Sequence, residues 1–118
     1  MARVWVLLGG LDGREIASPS AAQLAAVLSP VYAIKTVAGD GAAVFLRFGY
    51  DAGLMYQIKV GAGDAVRFEE WLDRDAEVAL ASPKCLSGLT RDEALRLWTW
   101  LAERQVAKIR AKPWREAR

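Results

Sequence analysis

The chain has no histidine, and one cysteine, Cys85, in 118 residues. The first absence removes Ser-His-Asp and Cys-His catalysis, and every zinc site that needs imidazole. The second removes an internal disulfide framework and a thiolate zinc cluster within one chain, and it fits a reducing compartment. Carboxylates, lysine and tyrosine are the catalytic groups that remain. Long apolar runs are scarce as well. After the first three residues, Val4–Leu8 is an apolar run of five, shorter than the core of a secretory signal. The longest charge-free stretch, 16–34, contains Pro19, Pro30, three serines and Gln23, so it does not read as a membrane span. These absences lead to an expected cytoplasmic location, with no membrane, no cofactor and no bound metal.

What is present is the composition of a folded domain, with ample apolar residues and both charge signs. The length suits one domain. Residues 1–112 read as a single α+β domain and 113–118 as a basic C-terminal tail. Residues 104–118 hold six basic groups and one acid, Glu116, which leaves ten basic and thirteen acidic groups in the rest. Within that acidic body, Glu69–Glu77 sets five acids against Arg74. Such asymmetry marks interaction surfaces.

Periodicity gives the elements. Arg3–Leu8 is almost continuously apolar, the pattern of a central strand covered on both faces. "GGLDG" is a turn. Ser18 with Pro19 predicts a helix start, and Pro30 its stop. Four apolar runs follow, over 31–37, 42–50, 54–60 and 65–71, separated by Gly- and Asp-rich turns that predict an antiparallel meander. Leu54, Tyr56, Ile58 and Val60 alternate with Met55, Gln57 and Lys59, giving one buried and one wetter face. The run over 65–72 also reads as a short helix capped by Asp64, and 76–81 as a short edge strand. The expected fold is α+β: a mostly antiparallel sheet of about five strands, ordered β-α-β-β-β-β-α, with a long C-terminal helix packed on one face.

That last helix starts at a capping box, Thr90 and Glu93, and runs from about Arg91 to about Lys112, where Pro113 prevents clean continuation. On a helical wheel Leu95, Trp98, Ala102, Val106 and Ile109 form the core stripe, widened by Ala94 and Leu101. Trp100 falls on the opposite side, between Arg96 and Arg104. Trp100, Arg96 and Arg104 therefore form a candidate protein-contact patch, since Trp and Arg are the types enriched at interface hot spots. The plainer reading is that Trp100 packs beneath the C-terminal tail. Glu69, Glu70 and Asp73 form a second candidate protein-contact surface, acidic rather than aromatic.

The basic end supplies an alternative. Lys108, Arg110, Lys112, Trp114 and Arg115 combine charge density with an aromatic ring, as single-stranded nucleic-acid binding requires. Helix C-termini also favour Lys and Arg, and a basic tail can pair with its own acidic segment. "GGLDGR" matches no phosphate-binding loop, and the acids of 69–77 lack EF-hand spacing. Cys85 beside Lys84 has no histidine to act as its base. Tyr32, Tyr50 and Tyr56 read as sheet residues.

The expected function is non-enzymatic: a small bacterial or phage accessory protein acting by protein–protein contact, as an inhibitor or an immunity-type factor. Nucleic-acid binding through the basic end is the alternative, and a carboxylate-based enzyme the further one. The partner is another protein. A second copy of the chain, docked through the last helix or a sheet edge, is also open.

Overall fold

The computed structural model describes residues 4–33, 43–51, 53–61, 65–73 and 75–116. It is an α+β fold built on one antiparallel sheet. Strand β1 (Val4–Gly9) turns back into β2 (Glu15–Ala17), and helix α1 (Ala21–Ala33) follows. Strands β3 (Ala43–Tyr50), β4 (Met55–Gly61) and β5 (Ala65–Trp71) form the meander. A short strand β6 (Lys84–Leu86) leads to helices α2 (Arg91–Ala102) and α3 (Val106–Arg110), and β7 (Arg115–Glu116) ends the described chain. The strand order is β2-β1-β3-β4-β5-β6-β7. β1 pairs with both β2 and β3, so it is next to the edge, and its first residue, Val4, is exposed. It is not the doubly covered central strand its continuous apolar run suggests.

Both long helices cover the same face, since α1 touches α2 and each touches β3 and β4. The alternation along the strands sends Val44, Leu46 and Phe48, Ile58 and Val60, and Val66 and Phe68 into that face. Leu24, Leu28 and Val31 from α1 meet them, together with Ala94, Leu97, Trp98 and Leu101 from α2. Among the described residues, no helix is long and apolar enough to cross a membrane.

Among the described residues, the other face of the sheet is covered by side chains of its own strands. Trp5 lies over Gly49, its partner on β3, and Phe45 lies over Gly9. A Cβ on Gly49 would sit 2.3 Å from the Trp5 ring, so only glycine admits the indole there. Arg47, Gln57, Glu69 and Arg67 run across β3, β4 and β5 as a chain of hydrogen bonds. Arg47 Nε donates to Gln57 Oε1 (2.6 Å), Gln57 Nε2 to Glu69 Oε1 (2.5 Å), and Arg67 Nε to Glu69 Oε2 (2.8 Å). Met55 and Gln57, expected on the wetter side, are both buried, Met55 at the register position between Gly49 and Trp71.

Several local expectations are corrected. Ser20, not Ser18, caps α1: its hydroxyl accepts the Gln23 N–H, and Gln23 Oε1 accepts the Ser20 N–H. The helix continues past Pro30, which is exposed, for three more residues. Residues 31–33, read as the start of a strand, are its last turn, so Tyr32 belongs to a helix. Residues 34–37, the turn at 38–41, Asp64, Arg74 and Arg118 lie outside the described residues. Residues 65–71 are a strand, because Val66 and Phe68 alternate into the core. The 76–81 segment is no strand of its own; among the described residues it makes one isolated bridge to the end of β5, Trp71 to Ala79, with the Leu80 N–H donating to the Glu70 carbonyl. "GGLDGR" is the hairpin turn, closed by Gly13 N–H to the Gly10 carbonyl and Arg14 N–H to Asp12 Oδ1.

Candidate functional site

Helix α2 begins at the expected capping box. Thr90 Oγ1 accepts the Glu93 N–H, and Glu93 Oε1 accepts the Thr90 N–H. The Thr90 N–H first, then the Thr90 hydroxyl, with smaller help from Lys112 and Arg96, hold the Glu93 carboxyl below the usual carboxylate range. The buried face of α2 is Ala94, Leu97, Trp98 and Leu101, spaced i, i+3, i+4, i+7. Leu95, placed in the core stripe by the wheel, is half-buried, and Leu97 takes the deeper position, on the side of α2 where Leu86, Leu89 and Pro113 lie. Trp98 is fully buried, and its Nε1–H donates to the Ile58 carbonyl at 3.0 Å.

The expected continuous helix to Lys112 is broken after Ala102. Arg104 takes a positive φ of 64°, its N–H donates to the Leu101 carbonyl, and Gln105 N–H donates to the Trp100 carbonyl. These two bonds form a Schellman motif with arginine where glycine is usual. The chain turns there and α3 starts in a new direction. The turn buries Ile109 and brings Arg110 to the sheet.

Arg104, Lys108 and Lys112 therefore do not share one helical stripe. Instead, Lys112 Nζ lies 5.3 Å from the centre of the Trp100 ring and Lys108 Nζ lies 5.9 Å from it. Trp100 is half-buried, and it walls a cavity of about 280 Å³ together with Leu86, Ser87, Leu89, Glu93, Arg96, Leu97, Lys112 and Pro113. α2, the segment after β6 and the turn after α3 meet at this cavity. Arg96 is exposed on its wall, and Arg104 is exposed at the helix break.

The acidic candidates separate. Glu69 and Glu70 are neighbours in β5 and so point to opposite faces. Glu69 is held in the open-face network described above. Glu70 is buried, and its Oε1 accepts both Nε (3.0 Å) and Nη2 of Arg110. That hydrogen bond raises the Arg110 pKa above the ordinary arginine value. Asp73 accepts the N–H groups of Val78 and Glu77, and the Val78 bond chiefly lowers its pKa. It organises its own loop.

The nucleic-acid candidates also separate. Lys108 and Lys112 face Trp100. Arg110 is on Glu70 and 5.9 Å from the Tyr56 ring centre. Trp114 packs on Phe68 at 5.4 Å, and its Nε1–H donates to the Ile109 carbonyl. Arg115 is exposed in β7, paired across from Cys85. Cys85 is half-buried, and its thiol has only a long 3.9 Å approach to the Glu116 carbonyl. The residues after Pro113 are thus built into the sheet as its edge strand as far as Glu116.

Sequence reasoning found Arg96 and Trp100 but paired them with Arg104. The lysines over the ring, and Leu86, Leu89 and Pro113 in the wall, come together only through the helix break and the return of the chain to β6. Pro113, within the basic run, was the signal that the chain must leave its helix there.

Fold and pocket together define a small two-layer α+β protein with an amphipathic cavity rimmed by cations. Compared with protein-family models, curated proteins and solved structures, the chain matches none.

Proposed function

We propose that this chain is a small non-enzymatic binding protein, of the inhibitor or immunity type, that acts by protein–protein contact through the Trp100 pocket. The observation that carries the reading is a half-buried tryptophan in the wall of a cavity, with Arg96 and Lys112 beside it and leucines and a proline behind it. Interface hot spots favour this combination of an aromatic, an arginine and a surrounding apolar shelter. Arg96 and Lys112 are exposed, so a partner can reach them without unfolding the domain.

The test is a quantitative pull-down from the native host with three tagged forms. These are the unaltered chain, the double variant Arg96→Glu/Lys112→Glu, and Lys59→Glu on the opposite sheet face. The expected result is a protein captured by the unaltered and Lys59→Glu forms and lost from the double variant. A partner retained by the double variant, or lost from Lys59→Glu alone, would place the contact elsewhere.

A further inference from the structure

We infer that the Trp100 pocket is a carboxylate-accepting site, which takes an aspartate or glutamate side chain from an acidic segment of the partner protein. The inference rests on the contact reading above and supplies its chemistry. Its ground is an imbalance of charge. Arg14, Arg67, Arg91 and Arg110 each have a carboxylate partner. Arg96, Arg104, Lys108 and Lys112 have no ion pair among the described residues; Arg47, Lys59, Lys84 and Arg115 have none either, but the first four are set apart by belonging to α2, α3 or the turns that follow them, with Arg96 and Lys112 on the pocket wall.

Glu93 in the pocket wall offsets only part of this charge: it attracts Arg96 and Lys112 but forms no ion pair with either among the described residues, and one acid faces two bases there. Glu93 is held by the capping box, with Oε1 on the Thr90 N–H. The two lysines sit 5.3 and 5.9 Å from the Trp100 ring centre, near the outer limit of a cation–π contact, so their ammonium groups keep donors for an anion. The remaining wall is apolar through Leu86, Leu89, Leu97 and Pro113, which suits the methylenes of an acidic side chain or an apolar neighbour.

A cavity of about 280 Å³ holds one or two side chains. A nucleic-acid strand would instead need cations continued along a track. Arg110 and Trp114, which would extend one, are turned to Glu70 and Phe68. Acidic protein is the occupant these contacts favour.

The test uses a fluorescein-labelled octapeptide of alternating glutamate and leucine, followed by anisotropy at low and moderate salt. Its glutamine–leucine counterpart, an oligo-dT strand and inorganic phosphate serve as comparisons. The glutamate peptide is expected to bind about tenfold tighter than the glutamine peptide. Arg96→Gln and Lys112→Gln are each expected to weaken it by about threefold to tenfold, while Lys59→Gln leaves it unchanged. Both pocket positions are exposed, so these variants keep the fold. Equal binding of both peptides, lost in Trp100→Ala, would overturn the carboxylate inference and leave the contact reading standing. Oligo-dT or phosphate competing as well as the glutamate peptide would overturn it too. Binding of neither peptide by the folded chain at low salt would overturn it outright, whereas the pull-down would still judge the contact itself.

Discussion

Two tryptophans two positions apart do different work because a helix turns them to different surroundings. Trp98 is sealed in the core with its N–H on the Ile58 carbonyl, so truncation leaves a cavity and removes that hydrogen bond. Trp98→Ala should cost about 3–5 kcal/mol and Trp98→Phe about 1–2 kcal/mol, read by urea denaturation. Equal losses from the two would show that the ring's volume is not what holds it. Arg104 is the opposite case, a side chain in a left-handed conformation that glycine adopts freely. Arg104→Gly should raise stability by about 0.5–1 kcal/mol, and a loss would mean that the arginine makes a compensating contact. Trp98's place was legible from its spacing to Leu101 and Ala94. Leu97's was not, because a wheel does not show that Leu86, Leu89 and Pro113 return to that side of α2. The position of Arg104 was hidden for a similar reason: neither glycine nor asparagine marks the break, and tertiary burial of Ile109 overrides local helix preference.

At the level of elements, α2 depends on its first turn. The Glu93 carboxyl titrates below its unfolded value, so its stabilisation is present at neutral pH and above the unfolded pKa. It is lost as pH falls through the lower folded value. Asp73 acts with the same sign through its loop. Glu93→Gln keeps a capping-box acceptor but does not titrate. It should therefore show a shallower fall in stability on acidification than the unaltered chain, measured by thermal melts across the acid range. Parallel acid profiles would remove Glu93 from the list of causes. The box T-x-x-E was readable from the sequence, and so were the three meander strands with the facing of Tyr56, Ile58 and Val60, whereas Leu54 lies before β4 and outside the core. The helical turn at 31–33 is not legible in the sequence, because a proline is an ordinary stop signal and only its exposure in the fold shows that the helix tolerates it.

For the whole molecule, the sheet has one face under two helices and one left to side chains, and the C-terminal segment is sewn back across β5 and β6. Arg110 on buried Glu70 is one stitch and Trp114 on Phe68 another. Arg110→Ala leaves a buried carboxylate without its partner and should cost about 2–3 kcal/mol, reduced from the fully buried case by the guanidinium's exposure. A stability within about 0.5 kcal/mol of the unaltered chain would show that water replaces the arginine there. The antiparallel α+β class followed from turn spacing and periodicity. The pocket did not, since its walls come from β6, α2 and the turn before β7, which are distant in sequence and joined only by the return of the chain.

Whether that pocket is where this protein meets another is decided most directly by placing a photo-cross-linkable phenylalanine at position 96, on the pocket wall, and at position 59, on the opposite sheet face. Irradiation in the native host should give a discrete protein adduct from position 96 and none from position 59. An adduct from position 59 alone, or nucleic acid rather than protein attached at position 96, would contradict a protein contact at Trp100.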